Sequence, residues 1–404
     1  MTDLTEQKCT IRIYKLIFIL LLVGPFASGL AINSQISRFF ELACFFYLIY
    51  TLYKMCSVGK VYRYSAGISI LILLLGLISL SIICRGNWNL AFKDMLLVIL
   101  GKTGLWAYLL PFVILALPNR KYFPEIIRVF YKASLFVVPL WLLNVRELVQ
   151  YTYHAESIGR YLPFISALLL GLGHYFDKKE RIVNVVLWLT FLFLMLINAR
   201  RNVSFSLMLY ALIAYGITVM SDFKKNAVKR VLTLSLFVLL ALFVLLNMDN
   251  LAHGVFKEMG GRIDDNSRYW VEYFFFQDFD NSPANDWIWG RGMDGGYYQI
   301  EKHDNGEVTD TRTCIETGYL NMILKGGLSY VVIIMLFMLS AIPKAFNARR
   351  IHGQSFLGVV LISFFVDLYT TNPVCEFSVR SITFWFIVSF LLQKTNINIL
   401  IHKC

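Results

Sequence analysis

Charge is scarce in this chain. Asp, Glu, Lys and Arg make up 16% of its 404 residues, against 57% hydrophobic residues, and the mean hydropathy is +0.61. A soluble fold of that length cannot hide so much apolar surface, which excludes an ordinary soluble enzyme and leaves a chain that crosses a bilayer many times. Cysteine is sparse and scattered. Cys9, Cys44, Cys56, Cys84, Cys314, Cys375 and Cys404 form no CxxC pair and no metal-ligand spacing. They read as mostly free thiols, with Cys314 and Cys375 the two that could meet as a disulfide. No internal repeat or low-complexity tract is visible, and no soluble domain is expected at either end.

What the chain has is apolar length. It divides into about twelve spans, at roughly 16–32, 37–54, 65–84, 95–117, 126–144, 158–176, 182–198, 202–220, 230–247, 319–342, 354–371 and 379–393. The first is too long for a signal-peptide core and lacks a small-residue cleavage pattern, so it reads as an uncleaved anchor. Aromatics are plentiful, with 33 Phe and 22 Tyr, as suits lipid-facing and interfacial positions.

The connections sort by charge. Lys54, Lys60 and Arg63 follow the second span, Arg120, Lys121 and Arg128 the fourth, and Lys178, Lys179 and Arg181 the sixth. Lys224, Lys225, Lys229 and Arg230 follow the eighth, and Lys344, Arg349 and Arg350 the tenth. Every second connection is basic, as the positive-inside rule requires, so both termini are expected in the cytoplasm. The net charge of +12 is then a matter of membrane orientation, and no nucleic-acid partner is implied. The expected division is a transmembrane bundle over 1–247, an extracytoplasmic loop over 248–318, and a second bundle with a cytoplasmic tail over 319–404.

The loop is the one long polar interval, acidic by roughly 8 charges with its short lead-in. Within it VEYFFFQDF (Val271 to Phe279) predicts a short helix packed on the bundle. Asn281, Ser282 and Pro283 mark a turn, and Gly290, Gly292, Gly295 and Gly296 a second, flexible one. WGRGMDGG contains GxG but lacks the strand and helix of a nucleotide fingerprint. DNGEVTDTRTCIE fails as a calcium loop because the required central Gly is missing. His253 and His303 are isolated and read as surface residues.

Several cations fall on the wrong side of this topology. Arg200 and Arg201 sit in a tight outer turn, Arg160 opens the sixth span from outside, and Arg38 and Arg85 are also near the outer face. Lys102 lies in or beside the fourth span. A cation near mid-membrane costs about 2.5–3.5 kcal/mol on insertion scales, so such groups line polar cavities, snorkel or pair with carboxylates such as Glu156 or Asp367. Two adjacent guanidiniums suit a multivalent anion, because each forks onto phosphate oxygens. Arg262 and Arg268 in the loop, followed by Tyr269, Trp270 and Tyr273, add cations beside flat faces that suit sugar rings. The structural alternative is that Trp270 and Phe274 to Phe276 anchor the helix at the interface.

The cationic turn NARRN, the loop with SRYW and WGRGM, and IETGYLNMILKGGL opening the next span resemble the bacterial O-antigen ligase and O-antigen polymerase superfamily. The specific motifs cover Arg160 to Gly327. The resemblance implies a GT-C-like, all-α polytopic membrane protein performing metal-independent glycosyl transfer, without a cofactor, at the outer face of the inner membrane. The donor would be an undecaprenyl-pyrophosphate-linked oligosaccharide and the acceptor a glycan hydroxyl, with chain-length regulator or flippase proteins as further partners. The family's outer-face arginines map onto Arg160, Arg200 or Arg201, and Arg268. A His-Asn pair common in the family is replaced here by Glu316-Thr317-Gly318.

The chemistry needs fixed cations to hold the departing pyrophosphate and a carboxylate to take the acceptor's proton. Glu316 is the first candidate for that base and Asp264 the second. Polymerisation of a surface polysaccharide repeat unit, O-antigen or capsule, is favoured over ligation to a lipid A core. A transporter or flippase of similar span number, and a non-catalytic assembly protein, are the readings from other classes.

Overall fold

The computed structural model describes residues 2–30, 34–57, 64–86, 88, 95, 98–99, 101, 103–136, 138–139, 163–197, 208–216, 267–302, 308–315, 317–347, 353–370 and 374–394. They form two compact units, Met1–Asn144 with Val271–Cys404, and Val145–Trp270. The first contains helices α1 (Thr2–Gly29), α2 (Ser34–Ser57), α3 (Ala66–Cys84), α4 (Leu105–Ala116) and α5 (Phe123–Leu135). The second contains α6 (Pro163–Gly171), α7 (Lys178–Ile197) and a helical stretch over 208–216. Helix α8 (Ser267–Asp280) crosses the division. The first unit then continues with α9 (Ala284–Trp289), strands β1 (Tyr297–Lys302) and β2 (Val308–Arg312), α10 (Gly318–Asn347), α11 (Gln354–Thr370) and α12 (Val379–Leu392).

The protein is predominantly helical, as expected. One departure from an all-α fold is the antiparallel β1–β2 hairpin, which pairs Tyr297 with Arg312 and Lys302 with Val308. Another is length. Among the described residues Ile36–Met55, Ala66–Cys84 and Gly318–Phe346 are long and apolar enough to cross a membrane, while α4, α11 and α12 are shorter apolar helices. The span expected over 230–247 lies outside the described residues.

The polarity is inverted relative to a soluble protein. Helix α3 exposes Ile70, Leu73, Leu77 and Leu80, and α10 exposes Leu328, Val332, Leu336 and Leu339. Each set recurs every three or four residues, so each is one apolar stripe turned outward. Large contiguous apolar surface of this kind suits lipid rather than water. Inside the second unit, α6 and α7 pair through Asn184, whose Nδ2 donates to the Ser166 carbonyl at 3.1 Å.

The first unit has two distinguishable ends. At one, Tyr64 donates to the Leu115 carbonyl at 2.6 Å, and Asn119 joins Tyr14 (2.7 Å) to Ser389 (2.7 Å). There Glu6 receives both Lys121 Nζ at 2.6 Å and the Tyr122 hydroxyl at 2.9 Å, and the Gln393 side chain accepts from the Arg120 amide at 3.0 Å. Glu6 and Gln393 therefore bring both ends of the described chain to the same 117–122 turn. Arg120, Lys394 and Lys344 are electrostatic neighbours there. The other end carries Arg85, at the far end of α3, and the loop residues bonded there, Trp289, Gly290 and Met293. Nineteen residues of α3 separate the two ends by about 28 Å at 1.5 Å per residue.

Candidate functional site

The described part of the loop, 267–302 and 308–315, is folded and packs on α10. The face of α8 that carries Phe275 and Phe279, one turn apart, packs with Tyr297 and Ile315 onto Leu320, Ile323 and Leu324 of α10. The two Phe rings stack at 4.3 Å, and Trp287 meets Phe279 edge-on at 5.3 Å. Of Phe274 to Phe276, read alternatively as interface anchors, Phe275 is in the core while Phe276 stays exposed.

The glycine-rich segment predicted as a flexible turn is docked closely on two helices. Helix α10 breaks at Gly327, with φ 69° and ψ −175°. A break strands the carbonyls of the preceding turn. Here the Arg291 amide donates to the Leu324 carbonyl at 2.7 Å and the Gly292 amide to the Lys325 carbonyl at 3.0 Å. Met293 N donates to the Ile82 carbonyl at 3.0 Å, so WGRGM bridges α10 and α3. Gly290, at φ 70° and ψ −169°, meets the break backbone to backbone. A Cβ on Gly290 would lie 2.5–2.6 Å from Lys325 C and the Gly326 and Gly327 nitrogens.

Three cations secure this contact. Arg85 donates from Nη1 to the Gly290 carbonyl at 2.5 Å and from Nη2 to the Trp289 carbonyl. Arg291 reaches Asp278 (2.5 Å), Asp286 (2.9 Å), the Gly296 carbonyl (2.7 Å) and Ser282, and its guanidinium lies 4.5 Å from the Phe279 ring centroid. With its forks filled, Arg291 organises the loop and has little left for an anion. Lys325, only 2% exposed, gives Nζ hydrogen bonds to the Met293 carbonyl at 2.7 Å and the Gly295 carbonyl at 3.0 Å.

The residues expected to do chemistry divide as follows. Arg160, Arg200, Arg201, Asp264 and Glu316 lie outside the described residues, as do Lys102, Glu156, Arg262, His253 and His303. Arg268 is described by its backbone alone, in the first turn of α8. Tyr269, Trp270 and Tyr273 sit on the first turns of the same helix at 57%, 59% and 46% exposure, with Tyr269 and Trp270 edge to face at 5.8 Å. Arg38 forms an ion pair with Glu41 at 2.9 Å.

The Ile315 amide donates to Asn321 Oδ1 at 3.2 Å, and Thr317 Oγ1 donates to Glu272 Oε1 at 2.9 Å. Glu272 is one helical turn after Arg268 on α8, so that helix is tied to Thr317 at the start of α10. Glu272, Arg291, Lys325 and Asn321 carry this geometry without having been singled out. The available signal was Lys325-Gly326-Gly327 inside an apolar span, where a cation beside two glycines breaks the pattern.

Cys314 and Cys375, the expected disulfide candidates, are free thiols. Each is an electrostatic neighbour of the other and of Lys325. Burial pushes the Cys375 thiol up, against the pull of Lys325. A protonated, 1%-exposed thiol is a poor nucleophile. A variant retaining Cys375 alone is expected to resist maleimide at neutral pH while folded and to label fully once denatured, as read by mass shift.

Compared with protein-family models, curated proteins and solved structures, the chain matches none.

Proposed function

We propose that the protein transfers an undecaprenyl-pyrophosphate-linked glycan to an acceptor hydroxyl at the outer face of a bacterial inner membrane, polymerising surface polysaccharide repeat units. The observation that carries this reading is the Glu272–Thr317 hydrogen bond at 2.9 Å. It ties α8, whose first turns carry Arg268, Tyr269, Trp270 and Tyr273, to Thr317, the residue that follows the proposed base Glu316 in the sequence. The orientation rests on Arg120, Lys121, Lys344 and Lys394 lying at the end opposite the loop. Lys and Arg favour the cytoplasmic side, so both termini face the cytoplasm and the loop faces outward.

In this mechanism Arg200, Arg201 and Arg268, with Arg160 in support, stabilise the charge that gathers on the departing pyrophosphate. Glu316 takes the proton of the attacking hydroxyl, and direct attack inverts the anomeric centre. Glu316→Gln is expected to insert and fold normally while losing about 10²–10⁴-fold in turnover, the usual worth of a general base. Turnover equal to the parent protein moves the base to Asp264 or elsewhere.

The broken span at Gly327 favours one competing reading, since transporters use discontinuous helices at their substrate sites. The carbonyls of Leu324 and Lys325 at that break accept loop amides, which supports a docking role instead. Cells lacking the protein separate the two. The transferase reading expects lipid-linked repeat units to accumulate at the outer face of the membrane, and a flippase predicts accumulation at the inner face.

A further inference from the structure

At the end of the first unit opposite the loop, three cations from distant segments of the chain come together. Arg120 lies in the turn between α4 and α5, Lys344 in the last turn of α10, and Lys394 just beyond α12. Hydrogen bonds fix the backbone at these points. The Arg120 amide donates to Gln393 Oε1 at 3.0 Å and its Nη1 to the Gln393 carbonyl at 3.1 Å, so Lys394 directly follows its partner. The Lys344 carbonyl accepts from Nε2 of the buried Gln354 at 2.9 Å. Both Arg120 and Lys394 act on Lys344 as like charges.

Like charges held in one place repel, and the repulsion grows as water is excluded. Two carboxylates at this end are engaged elsewhere. Glu6 takes Lys121 and the Tyr122 hydroxyl, and Glu125 takes the Gln7 side chain. Among the described residues none of the three cations forms an ion pair with a carboxylate. The Arg120 guanidinium lies 5.9 Å from the Phe390 ring centroid, and its Nε is buried without a hydrogen bond. Lys344 and Lys394 are exposed.

Beside Lys344, helix α10 turns Leu336, Leu339, Pro343 and Phe346 outward. They recur every three or four residues and cover about 15 Å at 1.5 Å per residue, half of a hydrocarbon core of about 30 Å. An apolar strip one leaflet deep therefore ends at the cationic cluster.

We propose that Arg120, Lys344 and Lys394 bind the headgroup of one anionic phospholipid, whose acyl chains lie along Leu336, Leu339 and Phe346. A zwitterionic headgroup brings an ammonium of its own and relieves the repulsion less, so the site selects net negative charge. Separate lysines snorkelling to any phosphate would show no such selection. This site does not rest on the transfer reaction.

Native mass spectrometry of the purified protein in detergent, titrated with phosphatidylglycerol or with phosphatidylcholine of the same acyl chains, tests it. A saturable first adduct is expected with phosphatidylglycerol, on the order of tenfold tighter than with phosphatidylcholine. Lys344→Gln/Lys394→Gln, which alters two exposed side chains, is expected to fold and to lose that preference. Arg128→Gln/Lys132→Gln removes the same charge from exposed positions on α5 and should keep it. Equal affinity for the two lipids in the parent, or a preference that survives in the Lys344/Lys394 variant, overturns the proposal. So does equal loss in the Arg128/Lys132 variant, or displacement of the lipid by millimolar inorganic phosphate, which would assign the cluster to a free anion.

Discussion

Gly327→Ala is expected to abolish most of the folded protein. At φ 69° and ψ −175° the residue sits in a region open essentially to glycine alone, and a side chain there costs about 1–3 kcal/mol. The added Cβ would also press on the Ile288 carbonyl and the Trp289 nitrogen. That contact is backbone against backbone, so no rotamer change relieves it, and either the docked loop or the helix must move. Moving the loop uncaps the Leu324 and Lys325 carbonyls, each a buried group worth about 1–3 kcal/mol when left unpaired. The sum is a large part of a typical stability of about 5–15 kcal/mol. Gly67→Ala, with nothing within 4 Å of the new methyl, is the control and should be neutral. The readout is the yield of monodisperse protein by size exclusion in detergent.

Arg268→Lys is expected to leave the yield unchanged and to cost on the order of 10²–10³ in turnover, the usual effect of removing one donor from a developing anion. Lysine keeps the charge and the stem but loses the planar fork that grips two phosphate oxygens. Arg291→Lys should behave oppositely. Its guanidinium is spent on Asp278, Asp286, Ser282 and the Gly296 carbonyl, so that variant lowers the yield of folded protein. The pair separates a cation that serves substrate from one that serves the fold.

Much of the architecture was legible because spans announce themselves by apolar length. The α3 stretch is an uninterrupted run of apolar and small residues, and the alternation of basic connections predicted which ends of the helices gather together. Arg120, Lys121 and Lys344 do meet at one end. The helix over Val271 to Phe279 was readable from its aromatic density, but its two faces were not. Which phenylalanines enter the core depends on where α10 lies, and that is a tertiary fact. The docking of WGRGM was hidden for a related reason. GxG marks glycine conformations but says nothing of their partner, and here the partner is a helix break 35 residues further on, from Gly292 to Gly327. Buried donors such as Asn321 and Tyr330 look like ordinary span residues until their neighbours are known. A free thiol pair rather than a disulfide at Cys314 and Cys375 also depends on side-chain placement that spacing cannot supply.

In the proposed transfer, outward-facing cations hold a lipid-linked pyrophosphate while its glycan moves to a hydroxyl. Incubation of the purified protein with a defined undecaprenyl-pyrophosphate-linked repeat unit, without added metal, followed by sizing of the glycan, tests it most directly. A ladder of lengthened products with release of undecaprenyl pyrophosphate is expected, reduced on the order of 10²–10³-fold by Arg268→Lys. A repeat unit recovered unchanged from well-folded protein, or a ladder indifferent to that substitution, would contradict it.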